Sequence, residues 1–160
     1  MNLKSNYFYN TVYDIDYKLL KSKGINALIF DIDNTLVCYD IPHPDENLIK
    51  LFDYLKENDF KIYLLSNNNV KRVKTFAEKA NLPYKGRGLK PLTINIKRAM
   101  KILSSTKNST ALVGDQLFTD VWGANRAGVT SILVNPISDK EDKFVAFKRH
   151  IEKWVNKNNK

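Results

Sequence analysis

The chain is 160 residues long, 43% hydrophobic and 27% charged, with 26 basic against 17 acidic residues and a formal net charge of +9. That length and balance suit one folded domain with a full core and argue against a disordered or fibrous chain. A lone cysteine, Cys38, excludes an intrachain disulfide and an all-cysteine zinc site. No apolar run approaches the roughly 20 residues that span a bilayer, and the polar N-terminus lacks the apolar stretch of a secretory signal, so the expectation is a cytoplasmic protein.

Taken in chain order, residues 1–24 carry the aromatic run "YFYNTVYDIDY", expected to pack on a sheet edge as a helix or turn. "INALIF", residues 25–30, is a continuous apolar run of the kind a buried parallel strand requires. In "DENLIKLFDYLKEN", Leu48, Leu51, Phe52 and Leu55 share one helical face, with Asp45 and Glu46 at the start, where the helix dipole favours acids. "FKIYLLS", residues 60–66, reads as a strand. "VKRVKTFAEKA" reads as a helix with Val70, Val73, Phe76, Ala77 and Ala80 inward.

"NLPYKGRGLKP" carries two prolines and two glycines and reads as a loop. "LTINIKRAMKIL" is a helix with Ile96, Ala99, Met100 and Leu103 inward. "TALVGD" is a short strand, and "TDVWGANRAG" a helix with Thr119 as N-cap and Gly128 as its stop. "TSILVN" is a further strand. Residues 140–160 read as an amphipathic helix bearing Phe144, Phe147, Ile151, Trp154 and Val155, followed by a polar tail. That face is expected to be core, with docking on anionic lipid as the alternative. Strands alternating with helices imply an α/β fold: a parallel sheet covered on both faces, with ligands bound beyond the carboxyl ends of its strands.

Polar residues gather at those ends. Asp31 and Asp33 follow the first apolar strand, and residues two apart near a strand end tend toward one side. Two carboxylates facing one cavity call for a cation, and a hard divalent ion such as Mg2+ suits them. Asp115, just after Gly114, and Asp120 are placed to complete or brace that site. Ser66 and Asn67 end the second strand ahead of a helix N-terminus, a setting that attracts anions. Lys90 offers a point charge to phosphate oxygens, and Lys85 and Arg87 precede it on the same loop. Cys38 reads as a small half-buried side chain rather than a nucleophile.

Charge is unevenly placed. Residues 79–114 hold eight cations (Lys79, Lys85, Arg87, Lys90, Lys97, Arg98, Lys101, Lys107) and no acid. Such a field favours phosphorylated small molecules, nucleic acid or anionic lipid, or else is a solvated lysine-rich surface.

The motifs "DIDNTL", "LLSNN", Lys90 and "GDQLFTD", in this order, resemble the four motifs of the haloacid dehalogenase-like (HAD) phosphohydrolases over nearly the whole chain. "DIDNTLV", "LSNNN", "KP" and "VGDQLFTDVWGANRAG" further resemble the YqeG-type branch of subfamily IIIA, whose eukaryotic relatives dephosphorylate phosphatidylglycerophosphate. The resemblance implies a three-layer Rossmann-like fold and an Mg2+-dependent phosphomonoester phosphatase. In that role Asp31 is the nucleophile, forming an aspartyl-phosphate, and Asp33 the general acid and base. Mg2+ is held by Asp31, the Asp33 main-chain carbonyl and Asp115, with Asp120 in support. Ser66, Asn67 and Lys90 hold the phosphate, and Thr35 braces the loop. Lys85 and Arg87 are candidate substrate contacts.

Neither residues 34–65 nor residues 67–89 leave room for a cap domain, so an open site is expected. Water must then be excluded by a second subunit, a large substrate or a membrane surface. An open basic mouth favours a large anionic substrate, such as an anionic phospholipid met by peripheral membrane contact. The alternative is a basic RNA- or ribosome-associated binding module with weak or no catalysis. Nucleic acid is the less favoured partner, because signatures with base-stacking aromatics are absent. A phosphoacceptor receiver domain would also cluster aspartates, but there the lysine follows all the acids, whereas here Asp115 and Asp120 follow Lys90.

Overall fold

In the computed structural model, which describes residues 1–138, six strands form one parallel sheet. They are β1 (Tyr7–Tyr9), β2 (Ala27–Phe30), β3 (Lys61–Leu65), β4 (Tyr84–Lys85), β5 (Thr110–Gly114) and β6 (Thr130–Val134). Their order is β1-β6-β5-β2-β3-β4, every neighbouring pair parallel. Among the described residues five α-helices accompany them: α1 (Tyr17–Ser22), α2 (Glu46–Glu57), α3 (Val70–Ala80), α4 (Ile94–Ile102) and α5 (Trp122–Ala127). The amphipathic helix expected over residues 140–160 lies outside the described residues.

The apolar run of β2 is explained by its two buried faces. Leu28, Phe30 and Ile32 enter one core with Leu48, Phe52, Leu55, Val73 and Phe76 from α2 and α3. Ala27 and Ile29 alternate into a second core with Tyr63, Leu65, Leu112 and residues Ile96 and Ala99 of α4. A strand covered on both sides needs apolar residues at every position. Asp31 continues the parity of Ala27 and Ile29, while Ile32 stays in the first core.

Helix starts follow capping chemistry. Asp45 caps α2 by accepting from the Leu48 amide (2.8 Å), and Asn69 caps α3 by accepting from the Arg72 amide (2.9 Å). Gly128 ends α5 in the left-handed region, with φ of 74°. Between Asp33 and Ser66 lie α2 and β3, and between Ser66 and Lys90 lie α3 and β4, so no cap domain is inserted at either place.

Four local readings change. The N-terminal aromatic run holds a turn and leads into α1, but it also supplies an edge strand: Tyr7, Phe8 and Tyr9 pair with Ile132, Leu133 and Val134. Its half-buried, exposed, half-buried alternation is a strand period, spread over too few residues to stand out. Tyr84 and Lys85, read as loop, form the two-residue β4 on the other edge, held by β3. Val70 is exposed at the first position of α3 instead of facing inward.

Thr119 is not an N-cap. It lies inside a π-helical turn, Leu117–Val121, that runs directly into α5. The extra residue of that turn has a steric counterpart at Gly114, where a Cβ would collide with the Asp120 carboxyl group.

Phe52 is almost fully buried and meets Phe30 edge-on, with ring centroids 6.2 Å apart. Phe52→Ala is expected to lower unfolding stability by about 3–5 kcal/mol in a denaturant titration. A loss below about 1 kcal/mol would show that this contact does not hold α2 on the sheet.

Candidate active site

The chain runs outward from β2 to β3 and β4 on one side, then crosses back to β5 and β6 on the other. The crevice between β2 and β5, at their carboxyl ends, is therefore the switch point where open parallel sheets bind ligands. Asp31 leaves β2 there, its amide donating to the Val113 carbonyl (2.9 Å), and Asp115 leaves β5 beside it. Asp120 reaches the same place from the π-helical turn. There its Oδ2 accepts from the Gln116 amide (3.1 Å).

Asp31, Asp115 and Asp120 are all buried, and each offers a carboxylate oxygen within 4.8 Å of the others. Lys90, equally buried, donates from Nζ to Asp31 Oδ1 and to Asp120 Oδ1, both at 2.7 Å. Thr35 Oγ1 donates to Asp115 Oδ1 (3.0 Å), and Asp31 Oδ2 lies 3.4 Å from it. Three carboxylates against one ammonium leave two negative charges uncompensated when all are ionised.

The protonation energetics reflect that deficit. Burial, with repulsion from Asp120 and Asp33, pushes the Asp31 carboxyl up to about 7 against the pull of Lys90. Burial, with repulsion from Asp120 and Asp31, pushes Asp115 up to about 8. Burial alone would lower the Lys90 pKa, but Asp120 and Asp31 outweigh it, so the ammonium stays charged. A divalent cation would supply the missing two charges, and an all-oxygen donor set of three carboxylates suits a hard ion.

Asp33 stands apart from this cluster. Its Oδ1 accepts from Arg72 Nη2 (3.1 Å) and its Oδ2 from Asn68 Nδ2 (2.9 Å). The expectation that its carboxylate shares a metal cavity with Asp31 gives way to this pairing. Any part Asp33 takes in metal binding falls to its main-chain carbonyl.

The phosphate-side residues divide. Ser66, buried at the end of β3, accepts through Oγ from the Asn68 amide (3.1 Å). Asn67 is turned inward: its amide group spans the Lys90 backbone, donating to the carbonyl (2.9 Å) and accepting from the N–H (2.8 Å). It therefore positions Lys90 rather than presenting its side chain to a ligand. Lys85 is half-buried in β4, and Arg87 is exposed on the loop between β4 and Lys90.

Asn68 and Arg72 were not singled out from sequence. Arg72 did leave a signal: a cation in the first turn of a helix opposes the dipole and needs another reason to be there. Its Nε and Nη1 are buried with no hydrogen-bond partner among the described residues, and its guanidinium lies 5.9 Å from the Phe76 ring centroid.

The chain is 36% identical over 148 residues to the protein named Probable phosphatase YqeG from Bacillus subtilis (strain 168), covering 92% of this chain and 86% of that protein. The chain belongs to the HAD-like hydrolases, in the YqeG-type branch. It is a phosphatase of that family. A family model described as HAD-hydrolase-like matches residues 89–149.

The chain is also 25% identical over 140 residues to phosphatidylglycerophosphate phosphatase 1, chloroplastic/mitochondrial, of Arabidopsis thaliana. That match covers 82% of this chain but only 40% of the plant protein. The fold matches the cobalt-bound deoxy-D-mannose-octulosonate 8-phosphate phosphatase of Haemophilus influenzae with a TM-score of 0.51. There the identity is 17%, over 72% of this chain and 81% of that one.

The raised carboxyl groups set a pH dependence with a definite sign. Unfolded, both carboxyls titrate near 3.8; folded without metal, Asp31 and Asp115 hold protons up to about 7 and about 8. Their contribution to stability is therefore full below the unfolded value and is lost as pH rises through the folded values. A divalent cation competes with those protons. Saturating Mg2+ is expected to raise Tm by about 5 °C more at roughly pH 8 than at roughly pH 5, read by thermal scanning. An Mg2+ shift that does not change with pH would contradict metal binding at these carboxylates.

Proposed function

We propose that this chain is an Mg2+-dependent phosphomonoester phosphatase that works through an aspartyl-phosphate on Asp31 in an open, capless site. The observation that carries the reading is the buried cluster of Asp31, Asp115 and Asp120 around Lys90 at the sheet's switch point, two charges short of neutrality when all three carboxylates are ionised.

Asp31, Asp115 and the Asp33 carbonyl, with Asp120 in support, would hold Mg2+, which when bound would supply positive charge against the phosphoryl oxygens. An Asp31 carboxylate oxygen attacks phosphorus as the bond to the leaving oxygen breaks. Asp33, oriented by Asn68 and Arg72, donates a proton to that leaving oxygen. It then takes a proton from water, whose oxygen attacks phosphorus. The phosphorus–Asp31 oxygen bond breaks, and inorganic phosphate leaves with Asp31 restored. Lys90 balances charge at the phosphoryl oxygens, and the Ser66 hydroxyl donates to one of them. Asn67 contributes by fixing the Lys90 backbone. Thr35 ties the Asp31 loop to Asp115.

The substrate class proposed is an anionic phospholipid monoester of the phosphatidylglycerophosphate type, met at the membrane surface by a cytoplasmic protein. The Arabidopsis relative's name supports it, together with the exposed cation Arg87 three residues before Lys90. No helix among the described residues is long and apolar enough to cross a membrane.

With Mg2+ and a generic aryl phosphate, Asp31→Asn is expected to cut kcat by about a thousandfold or more, and chelation to bring the native chain to background. Undiminished turnover by the Asp31→Asn protein would remove Asp31 as nucleophile.

A further inference from the structure

The segment that delivers Lys90 to the site is pinned from inside and apolar outside. The Arg87 amide donates to the Asn68 carbonyl (2.8 Å) and the Gly88 amide to the Ser66 carbonyl (2.8 Å). Buried Asn95 holds the Gly88 carbonyl from α4 (3.0 Å), and the Leu92 amide closes a turn on the Leu89 carbonyl (2.8 Å). Gly86, Gly88 and Lys90 are buried while Arg87 and Leu89 between them are exposed. Arg87 and Leu89 both adopt left-handed backbone, with φ of 48° and 59°. For a leucine this is a strained conformation, of the kind that persists only where its surroundings enforce it. The outcome is a large aliphatic side chain held in water beside Lys90.

It is not alone. Leu89, Leu92, Ile94 and Ile102 are 55%, 49%, 58% and 54% exposed. On α4, Ile94, Lys97, Arg98, Lys101 and Ile102 fall on one face, opposite the buried Ile96, Ala99 and Leu103. An apolar tip at the site end therefore continues into a cationic stripe edged by isoleucines.

We propose that the 87–94 loop and the outer face of α4 form a docking surface for an anionic lipid bilayer. Aliphatic residues enter the headgroup boundary, and Lys97, Arg98 and Lys101 face the lipid charges. This rests on the reading of the site as a lipid-phosphate phosphatase. Charge selects this occupant over the others. With no acid between residues 79 and 114, a second copy of the same face is repelled. RNA would call for base-stacking aromatics, and the exposed side chains here are aliphatic. A leaflet of anionic lipid matches both the single sign of charge and the aliphatic tip.

The test uses the full chain, sedimented with phosphatidylcholine vesicles with and without phosphatidylglycerol, alongside turnover of a soluble aryl phosphate. One variant combines Leu89→Asn, Leu92→Ser and Ile94→Gln, asparagine being tolerant of left-handed backbone. A second combines Lys97→Gln, Arg98→Gln and Lys101→Gln. The native chain is expected to bind only the anionic vesicles, more weakly as salt rises. The first variant is expected to lose about tenfold in partitioning. The second should lose about a hundredfold and most of the salt dependence, both with kcat/KM on the aryl phosphate within about twofold of native.

Equal binding to neutral and anionic vesicles, or native partitioning by both variants, would overturn the proposal. So would binding to RNA but not to vesicles. Aryl phosphate turnover without vesicle binding would refute the docking surface alone. Vesicle binding of the expected kind without any turnover would uphold the surface and refute the phosphatase reading.

Discussion

Burying three carboxylates within coordinating distance of one another is costly, and one ammonium does not repay it. Lys90 sits 2.7 Å from both Asp31 and Asp120, yet Asp31 and Asp115 still hold their protons far above the usual carboxylate range. A fold keeps such an arrangement when something outside the chain completes it. Three ionised carboxylates against one ammonium, an all-oxygen donor set and a position at the sheet's switch point make a cluster that could hold a hard divalent cation.

The rest of the structure serves to hold that cluster under repulsion. β2 and β5 are adjacent and fully buried, so Asp31 and Asp115 emerge from rigid neighbours. Gly114 leaves space for Asp120, which the π-helical turn brings back toward the strand ends. Lys90 comes from a loop without regular structure, and its position is secured by Asn67 through two hydrogen bonds to its backbone. Asp33 is kept out of the cluster by Arg72 and Asn68, which separates the group proposed to move protons from the group proposed to attack.

Much of this was legible in the residue order. The run from Ala27 to Phe30 announced a strand covered on both faces, and Leu48, Phe52 and Leu55 announced the helix packed on it. Carboxylates placed just after two such strands had to converge, because parallel strands end together. The weakly marked pieces were those set by tertiary contact. β4 is two residues long and exists because β3 offers free pairing groups. β1 carries too few residues to show a period. The π-helical turn depends on a steric fit between Gly114 and Asp120, which no local pattern encodes. Asp33 was read beside Asp31 from strand alternation, but the strand ends at Phe30. Parity carries on through Ile32, and at Asp33 the partners Asn68, just before α3, and Arg72, in its first turn, decide where the side chain turns.

The central claim is that a metal completes the carboxylate cluster. Crystals of the full chain soaked in Mn2+, measured at a wavelength where manganese scatters anomalously, test it directly. One strong peak, coordinated by the carboxylates of Asp31 and Asp115 beside Asp120, is the expected result. Clear anomalous density elsewhere, with Lys90 still bridging Asp31 and Asp120 and no peak between them, would contradict it.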